Sequence, residues 1–183
     1  PSGASNNPVI TSNTTIAGLT INSGATLSTS NSPIITIANN GTFTNNGTFT
    51  AGTSKVSFAG TGTVSGTVGF NDVDIAGGVN FGSASTINGT FTINTNGWVN
   101  TNAPSYGPNS LLKYNIGGYY GRGFEWSTTS GSGFPNDVQI SNNTTLNYPN
   151  SAGNFTATIG LARNLTIDAG SSLYMDYGAG ASS

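Results

Sequence analysis

A triplet of apolar, polar and apolar side chains recurs along this chain of 183 residues at intervals long enough to be one turn of a coil. It reads Ile35-Thr36-Ile37, Val56-Ser57-Phe58, Val73-Asp74-Ile75, Phe91-Thr92-Ile93, Leu112-Lys113-Tyr114, Val138-Gln139-Ile140 and Leu165-Thr166-Ile167. Counted from Ile21, the last members of successive triplets fall at Ile37, Phe58, Ile75 and Ile93, then at Tyr114, Ile140 and Ile167, and the later steps are the longer ones. Alternation along a strand puts the two apolar side chains on one face and the middle residue on the other. Strands of a sandwich have no reason to resemble one another. Stacked coils do, because each buries its apolar pair on the pair below. The expected fold is therefore all-β: a right-handed parallel β-helix, or β-solenoid, with about 18–27 residues per coil. About eight coils at ~4.8 Å each would form a rod roughly 40 Å long.

Longer matches support the repeat. Leu19-Thr20-Ile21-Asn22-Ser23-Gly24-Ala25-Thr26-Leu27 parallels Leu165-Thr166-Ile167-Asp168-Ala169-Gly170-Ser171-Ser172-Leu173, and Gly69-Phe70-Asn71-Asp72-Val73-Asp74-Ile75 parallels Gly133-Phe134-Pro135-Asn136-Asp137-Val138-Gln139-Ile140. Between the triplets, Asn39-Asn40-Gly41, Asn45-Asn46-Gly47, Ala76-Gly77-Gly78, Asn88-Gly89 and Asn96-Gly97 supply residues that tolerate positive φ at corners. Asn-Gly is equally a hairpin signal, so an antiparallel β-sandwich or meander is the alternative fold. No stretch has a 3.6-residue apolar period, and helix is expected to be nearly absent.

Charged residues are only 5% of the chain, and the cations Lys55, Lys113, Arg122 and Arg163 are scattered. Nucleic-acid binding needs clustered Lys and Arg to neutralise phosphates, so it is not expected. No apolar run approaches the ~20 residues of a membrane helix. There is no cysteine and no histidine, which removes the usual nucleophilic triads and zinc sites.

Residues 104–135 break the repeat. This window holds Tyr106, Tyr114, Tyr119 and Tyr120 of the seven tyrosines, one of two tryptophans and the only glutamate. The resulting division is regular coils over 1–103, an aromatic loop or insertion over 104–135, further coils over 136–177, and a linker or tail over 178–183. Tyr106, Tyr119, Tyr120 and Trp126 are candidates to stack on sugar rings, with Arg122 and Glu125 hydrogen bonding to them. The competing reading has the aromatics fold the loop onto the scaffold while Arg122 pairs with Glu125.

The acids are Asp72, Asp74, Glu125, Asp137, Asp168 and Asp176. Asp72 and Asp74 share one face of a strand, which a carboxylate pair or an incidental ion would require. Alternatively Asp72 and Asp137 are equivalent corner residues that accept hydrogen bonds. Thr42/Thr44, Thr48/Thr50, Thr61/Thr63, Thr90/Thr92 and Thr156/Thr158 form Thr-x-Thr motifs similar to those of ice-binding solenoids, but their spacing is irregular. No catalytic residue, metal or cofactor is expected.

The phrases SKVSFAGTGTVSGTVGFNDVDIAGGVNFGSASTINGTFTI and YGPNSLLKYNIGGYYGRGFEWS…GFPNDVQISNNTTLNY, roughly residues 54–148, resemble modules of long surface proteins of Bacteroidota exported by the type 9 secretion system. The resemblance implies an extracellular or cell-surface segment acting as stalk, filament or adhesin. A carbohydrate-binding module and an ice-binding solenoid are the alternatives. Expected partners are flanking repeats of the same polypeptide or further copies, since a solenoid's ends are open sheet edges, and surface glycans.

Overall fold

The computed structural model describes residues 7–148 and 159–175. After β1 (Val9–Ile10) come five coils of three strands each. They are β2 (Thr14–Ile16), β3 (Leu19–Ile21) and β4 (Thr26–Thr29); β5 (Ile34–Ile37), β6 (Gly41–Asn45) and β7 (Thr48–Thr50); β8 (Lys55–Phe58), β9 (Gly62–Gly66) and β10 (Val68–Phe70); β11 (Asp72–Ile75), β12 (Gly78–Asn80) and β13 (Ser85–Ile87); β14 (Thr90–Asn94), β15 (Trp98–Val99) and β16 (Ser105–Tyr106). Three further coils contribute two described strands each: β17 (Leu111–Asn115) and β18 (Tyr119–Gly121); β19 (Asp137–Ile140) and β20 (Thr145–Asn147); β21 (Leu165–Ile167) and β22 (Ser172–Tyr174). Among the described residues the only helical piece is a 3-10 turn at Phe124–Trp126, and every ladder is parallel. The fold is a β-solenoid, not the antiparallel alternative.

The longest face is an eight-stranded sheet, β2-β5-β8-β11-β14-β17-β19-β21. Its register aligns the recurring triplets. Ile35, Val56, Val73, Phe91, Leu112 and Val138 stack in one inward column, and Ile37, Phe58, Ile75, Ile93, Tyr114 and Ile140 in the other. All twelve are buried. Between them Thr36, Ser57, Asp74, Thr92, Lys113 and Gln139 form a polar ladder on the outer surface.

One expectation is corrected at the start of the column. Ile21 is not the member below Ile37; that place belongs to Ile16, with Thr14 under Ile35. Leu19–Ile21 lies on a second face, β15-β12-β9-β6-β3, and pairs with Phe43–Asn45. The two Leu-Thr-Ile repeats thus occupy different faces. What they share is local: a strand, then a turn at a positive-φ glycine (Gly24 at 78°, Gly170 at 81°), closed by Ala25 N–H to Asn22 C=O at 3.0 Å and Ser171 N–H to Asp168 C=O at 3.0 Å. Strand-turn-strand chemistry is set locally, whereas the face is set by the length of chain since the previous corner.

The corner residues also act differently from expectation. Positive φ falls on Asn40 and Asn96 (63° and 67°), but not on Asn45, Asn46, Asn88 or the glycines that follow them. Gly41 is needed for another reason. A Cβ there would collide with the carbonyl of Ala17 in the coil below and with the Ile37 side chain, so close stacking of backbones selects the glycine.

Asp72 and Asp137 are equivalent acceptors at coil corners. Asp72 Oδ1 accepts the Thr90 N–H at 2.6 Å and Asp137 Oδ1 the Asn164 N–H at 3.1 Å, in each case the same register position one coil later. Asn13 does the same for Ile34 N–H at 2.8 Å. These side chains satisfy a donor at the start of a strand (Ile34, Thr90) or just before it (Asn164), which would otherwise be lost to the ladder.

The third face is broken. β1-β4-β7 forms one three-stranded sheet and β10-β13-β16 another, with no ladder between β7 and β10. The break coincides with a change in spacing along the long face, where the step from Val56 to Val73 is shorter than the step from Ile35 to Val56. A shorter coil has a smaller circumference, so its third strand lies inward of the one below. Phe43, Phe49 and Phe70 fill the step edge-on, with centroids 5.1, 5.2 and 6.4 Å apart.

Two measurements test this account. Phe91→Ala empties a column position that also packs edge-on against Phe81 at 5.2 Å, so urea unfolding is expected to show a loss of about 3–5 kcal/mol, against about 0.5 kcal/mol or less for Thr92→Ala on the outer ladder. Asp72→Ala strips Thr90 N–H of its acceptor and is expected to cost about 1–3 kcal/mol. Asp72→Asn keeps an oxygen there and should cost clearly less; equal losses for the two would show that hydrogen bonding is not the cause.

Candidate functional site

The window 104–135 divides between ladders and loop. β16, β17 and β18 belong to three different sheets, and the chain leaves the wall after Gly121. β18 directly follows the long face, as β3 does in the first coil, but it starts a new sheet, β18-β20-β22, with no ladder to β15. The 3-10 turn packs beside β15 instead.

Strand alternation at β18 sends Tyr119 outward and Tyr120 inward. Tyr119 is 60% exposed, and its hydroxyl accepts from Asn147 Nδ2 at 2.5 Å. Tyr120 packs 5.5 Å from Tyr114, the column residue of the same coil. The Arg122 N–H extends the ladder to Asn147 C=O at 3.1 Å, and the chain then tightens through Gly123 into the 3-10 turn.

Arg122 and Glu125, expected as sugar-binding groups or as an ion pair, are 1% and 0% exposed. Neither is open to a ligand at the surface, and both are held within the wall. Glu125 Oε1 accepts from Gly123 N–H at 2.7 Å and from the Tyr114 hydroxyl at 3.1 Å. Arg122 Nε donates to Tyr148 C=O at 2.7 Å, and Nη1 to Trp126 C=O. The guanidinium also lies 5.3 Å from the centroid of the Tyr148 ring. A Cβ at Gly123 would come within 2.7 Å of Glu125 Oε2, so a larger residue here would push the carboxylate from its present place.

Two of the aromatic candidates are likewise tied into the wall. Trp126 is buried, its Nε1 donating to Gly160 C=O at 2.9 Å and its ring edge-on to Tyr148 at 6.4 Å. The Tyr106 ring is partly exposed, but its hydroxyl end is enclosed and donates to Glu125 C=O at 2.7 Å. The loop beyond is stitched back through Ser127 N–H to Gly133 C=O at 2.9 Å and Gly133 N–H to Pro104 C=O at 3.0 Å. Of the six candidates, only Tyr119 remains an open surface side chain.

Burial sets the electrostatics. It pushes the Glu125 carboxyl above its ordinary pKa, more strongly than the Gly123 and Glu125 amides, the Tyr114 hydroxyl and the Arg122 charge pull it down. Burial, with the Glu125 charge added, also raises Tyr106, Tyr114 and Tyr120. The three phenols therefore stay neutral donors throughout the physiological range.

Elsewhere, Asp72 is occupied as a corner acceptor, and Asp74 pairs with Lys55 at 3.0 Å. Asp137 pairs with Arg163 at 2.6 Å, and Asp168 accepts from Gln139 Nε2 at 2.9 and 3.2 Å. Among the described residues no group of three or more acids could hold a metal ion; Asp176 lies outside them. The Thr-x-Thr motifs scatter. Thr42/Thr44 and Thr63 are on the β6-β9 ladder, Thr48/Thr50 on β7 and Thr90/Thr92 on the long face, while Thr156/Thr158 lie outside the described residues. A cleft of about 330 Å³ opens at the step of the third face, lined by Phe49, Gly52, Phe70, Asn71 and Asn88 among others.

Sequence reasoning missed Tyr148, which anchors both Arg122 and Trp126, and the outward aromatics Trp98 and Phe124, both half-exposed. Trp98 was legible: in the pair Trp98-Val99 the valine fills the core, so the indole faces out. It lies across Gly78, where a Cβ would meet Cζ2 at 2.5 Å.

The raised Glu125 carboxyl has a definite sign in stability. Folded protein holds that proton more tightly than unfolded chain, so stability contributed by this group is full below the ordinary carboxylate pKa and is lost as pH rises through the raised value. Glu125→Gln carries no such proton and still offers an oxygen to Gly123 and Tyr114. Urea unfolding across pH is expected to show the variant gaining on the wild type as pH rises; a pH-independent difference would mean that Glu125 titrates normally.

Comparison with protein-family models, with curated proteins and with solved structures found no significant match.

Proposed function

We propose that this chain is a non-catalytic structural segment of a bacterial surface protein, extracellular in location and serving as stalk, filament or adhesin. The observation that carries this reading is the unbroken eight-stranded parallel ladder of the long face, which makes length by adding coils. The loop most unlike the repeat supports it, since Arg122, Glu125 and Trp126 are committed to bracing the wall. The resemblance of residues 54–148 to modules of surface proteins of Bacteroidota exported by the type 9 secretion system adds the location and the adhesive role.

A second reading, a carbohydrate-binding surface, is favoured by the exposed rings of Trp98, Tyr119 and Phe124. Exposed aromatic faces are what sugar rings stack against.

Beads coated with the chain and presented to cell surfaces and to a glycan array separate these readings. The adhesive scaffold is expected to retain beads on cells with no glycan signal that depends on Trp98→Ala/Tyr119→Ala. Glycan binding that this double substitution abolishes would replace the first reading by the second. Release of oligosaccharides from a polysaccharide would overturn the non-catalytic assignment.

A further inference from the structure

The step in the third face opens the side of the stack between the second and third coils, well inside the described chain. No ladder joins β7 to β10, and at that level lies the cleft of about 330 Å³. Half-buried Phe49 and buried Phe70 line it with aromatic rings, and Thr50, Gly69, Asn71 and Asn88 stand around them.

One wall of the cleft is a glycine that the fold does not need. Gly41, Gly62 and Gly78, in strands of the second face, each sit where a Cβ would come within 2.5 Å of another atom. Gly69 differs from them. It is exposed in the middle of β10, its φ lies outside the left-handed region, and a Cβ there would meet nothing nearer than Asn88 Nδ2 at 3.8 Å. Its register partner one coil on is Thr86, and the next is Ser105, so the rest of this outward column carries hydroxyl side chains. A glycine inside a strand weakens it. One that neither backbone conformation nor packing demands marks a place where another molecule approaches the bare backbone.

The polar groups beside Gly69 are not used up by the fold. Asn88 Nδ2 donates to Phe70 C=O at 3.1 Å, but that carbonyl already accepts the Asn88 N–H at 3.0 Å, so the side-chain bond is redundant. The second hydrogen on Nδ2 remains to donate. Asn71 Nδ2 reaches Ser54 C=O only at 3.4 Å, and its Oδ1 remains to accept. No residue lining the cleft is charged, which selects against an ionic ligand, because a charge leaving water would find no partner. The volume falls at the low end of small-ligand pockets, roughly 300–1,000 Å³. Cα atoms of β7 and β10 approach within 8 Å, whereas a polypeptide strand laid between them would need about 9.6 Å. The step therefore suits a small neutral molecule and not an inserted strand.

We infer that this cleft binds a neutral sugar, a pyranose unit of an uncharged glycan, against Phe49 and the bare backbone of Gly69, with its hydroxyls bonded to Asn88 Nδ2 and Asn71 Oδ1. The apolar C–H face of a pyranose carries partial positive charge and meets the negative face of an aromatic ring. Its hydroxyls both donate and accept, as the two amides do. The inference rests on the adhesive reading above and gives it a ligand. The site is separate from the exposed rings of Trp98 and Tyr119, which belong to other sheets.

The test is an array of uncharged gluco-, galacto- and manno-oligosaccharides, with sialylated and sulfated glycans and unstructured peptides beside them. Calorimetric titration of the full chain with the strongest neutral oligosaccharide follows. Wild type is expected to bind neutral probes in preference to the charged glycans and the peptides. Gly69→Thr, which copies Thr86 of the next coil, should unfold at the same or a higher urea concentration than wild type while its titration falls to baseline. Asn88→Ala should weaken binding about three- to tenfold, and Trp98→Ala/Tyr119→Ala should leave it unchanged. A wild type that binds no neutral probe overturns the inference, and beads still held on cells would then leave the adhesive reading standing. Preference for charged glycans or peptides overturns it too, as does full affinity in folded Gly69→Thr. Should Gly69→Thr lower the urea midpoint, Asn88→Ala decides alone: weaker binding supports the site and unchanged affinity overturns it.

Discussion

Everything in this structure depends on one constraint: each coil must return its strand to lie parallel and in register on the strand below. Parallel pairing at a spacing of about 4.8 Å puts every inward side chain directly over its counterpart one coil earlier. A column is then a continuous stack, Ile37 on Ile16, Phe58 on Ile37, Ile75 on Phe58, and each member needs only to be apolar and to fit its two neighbours. Valine, leucine and phenylalanine interchange freely in the other column for the same reason. Tyr114 departs from this in having a hydroxyl to satisfy, and Glu125 accepts from it.

Register along one face does not fix the circumference, and the other faces absorb the difference. Where the step shortens, between Val56 and Val73, the third face splits and three phenylalanines pack the gap. Where it lengthens, from Leu112 to Val138, extra chain leaves the wall and must be held. The Arg122–Glu125 loop does this with charged groups, although burying two charges is costly unless each is well hydrogen bonded. The acceptors and donors gathered around them, from Gly123, Tyr114, Trp126 and Tyr148, are what make their burial tolerable. The only glutamate of the chain therefore marks a place where the repeat had to be repaired.

The same physics explains what the sequence reveals and what it conceals. Long-face triplets are legible because the column repeats its chemistry at every coil, so the seven triplets from Ile35 to Ile167 are found in their true register. Leu19–Ile21 misleads because a strand-turn-strand unit looks the same on any face. Arg122 and Glu125 were seen as noteworthy, but burial is a long-range property: it depends on Tyr114, Tyr148 and Gly160, which are spread over separate stretches of the chain, and no spacing rule joins them. Corner glycines such as Gly41 are legible as glycines, whereas the reason for them, the backbone of the previous coil, belongs to the stack.

The stack also accounts for the scarcity of charge. On an outer ladder each side chain has neighbours about 4.8 Å above and below. Two like charges there repel by about 1 kcal/mol in water and about 3 kcal/mol at the effective dielectric of a protein surface, and the penalty recurs with every coil that repeats them. The observed ladder avoids it. Asp74 sits between Ser57 and Thr92, Lys113 between Thr92 and Gln139, and Asp74 meets its cation, Lys55, on the diagonal. Threonine, serine and asparagine incur no such cost, and their side chains hydrogen-bond from coil to coil, as Ser65 to Thr44 at 3.1 Å and Asn115 to Asn94 at 2.8 Å. A composition that in an ordinary chain would suggest disorder is, in a parallel stack, the one that lets identical positions lie on top of one another.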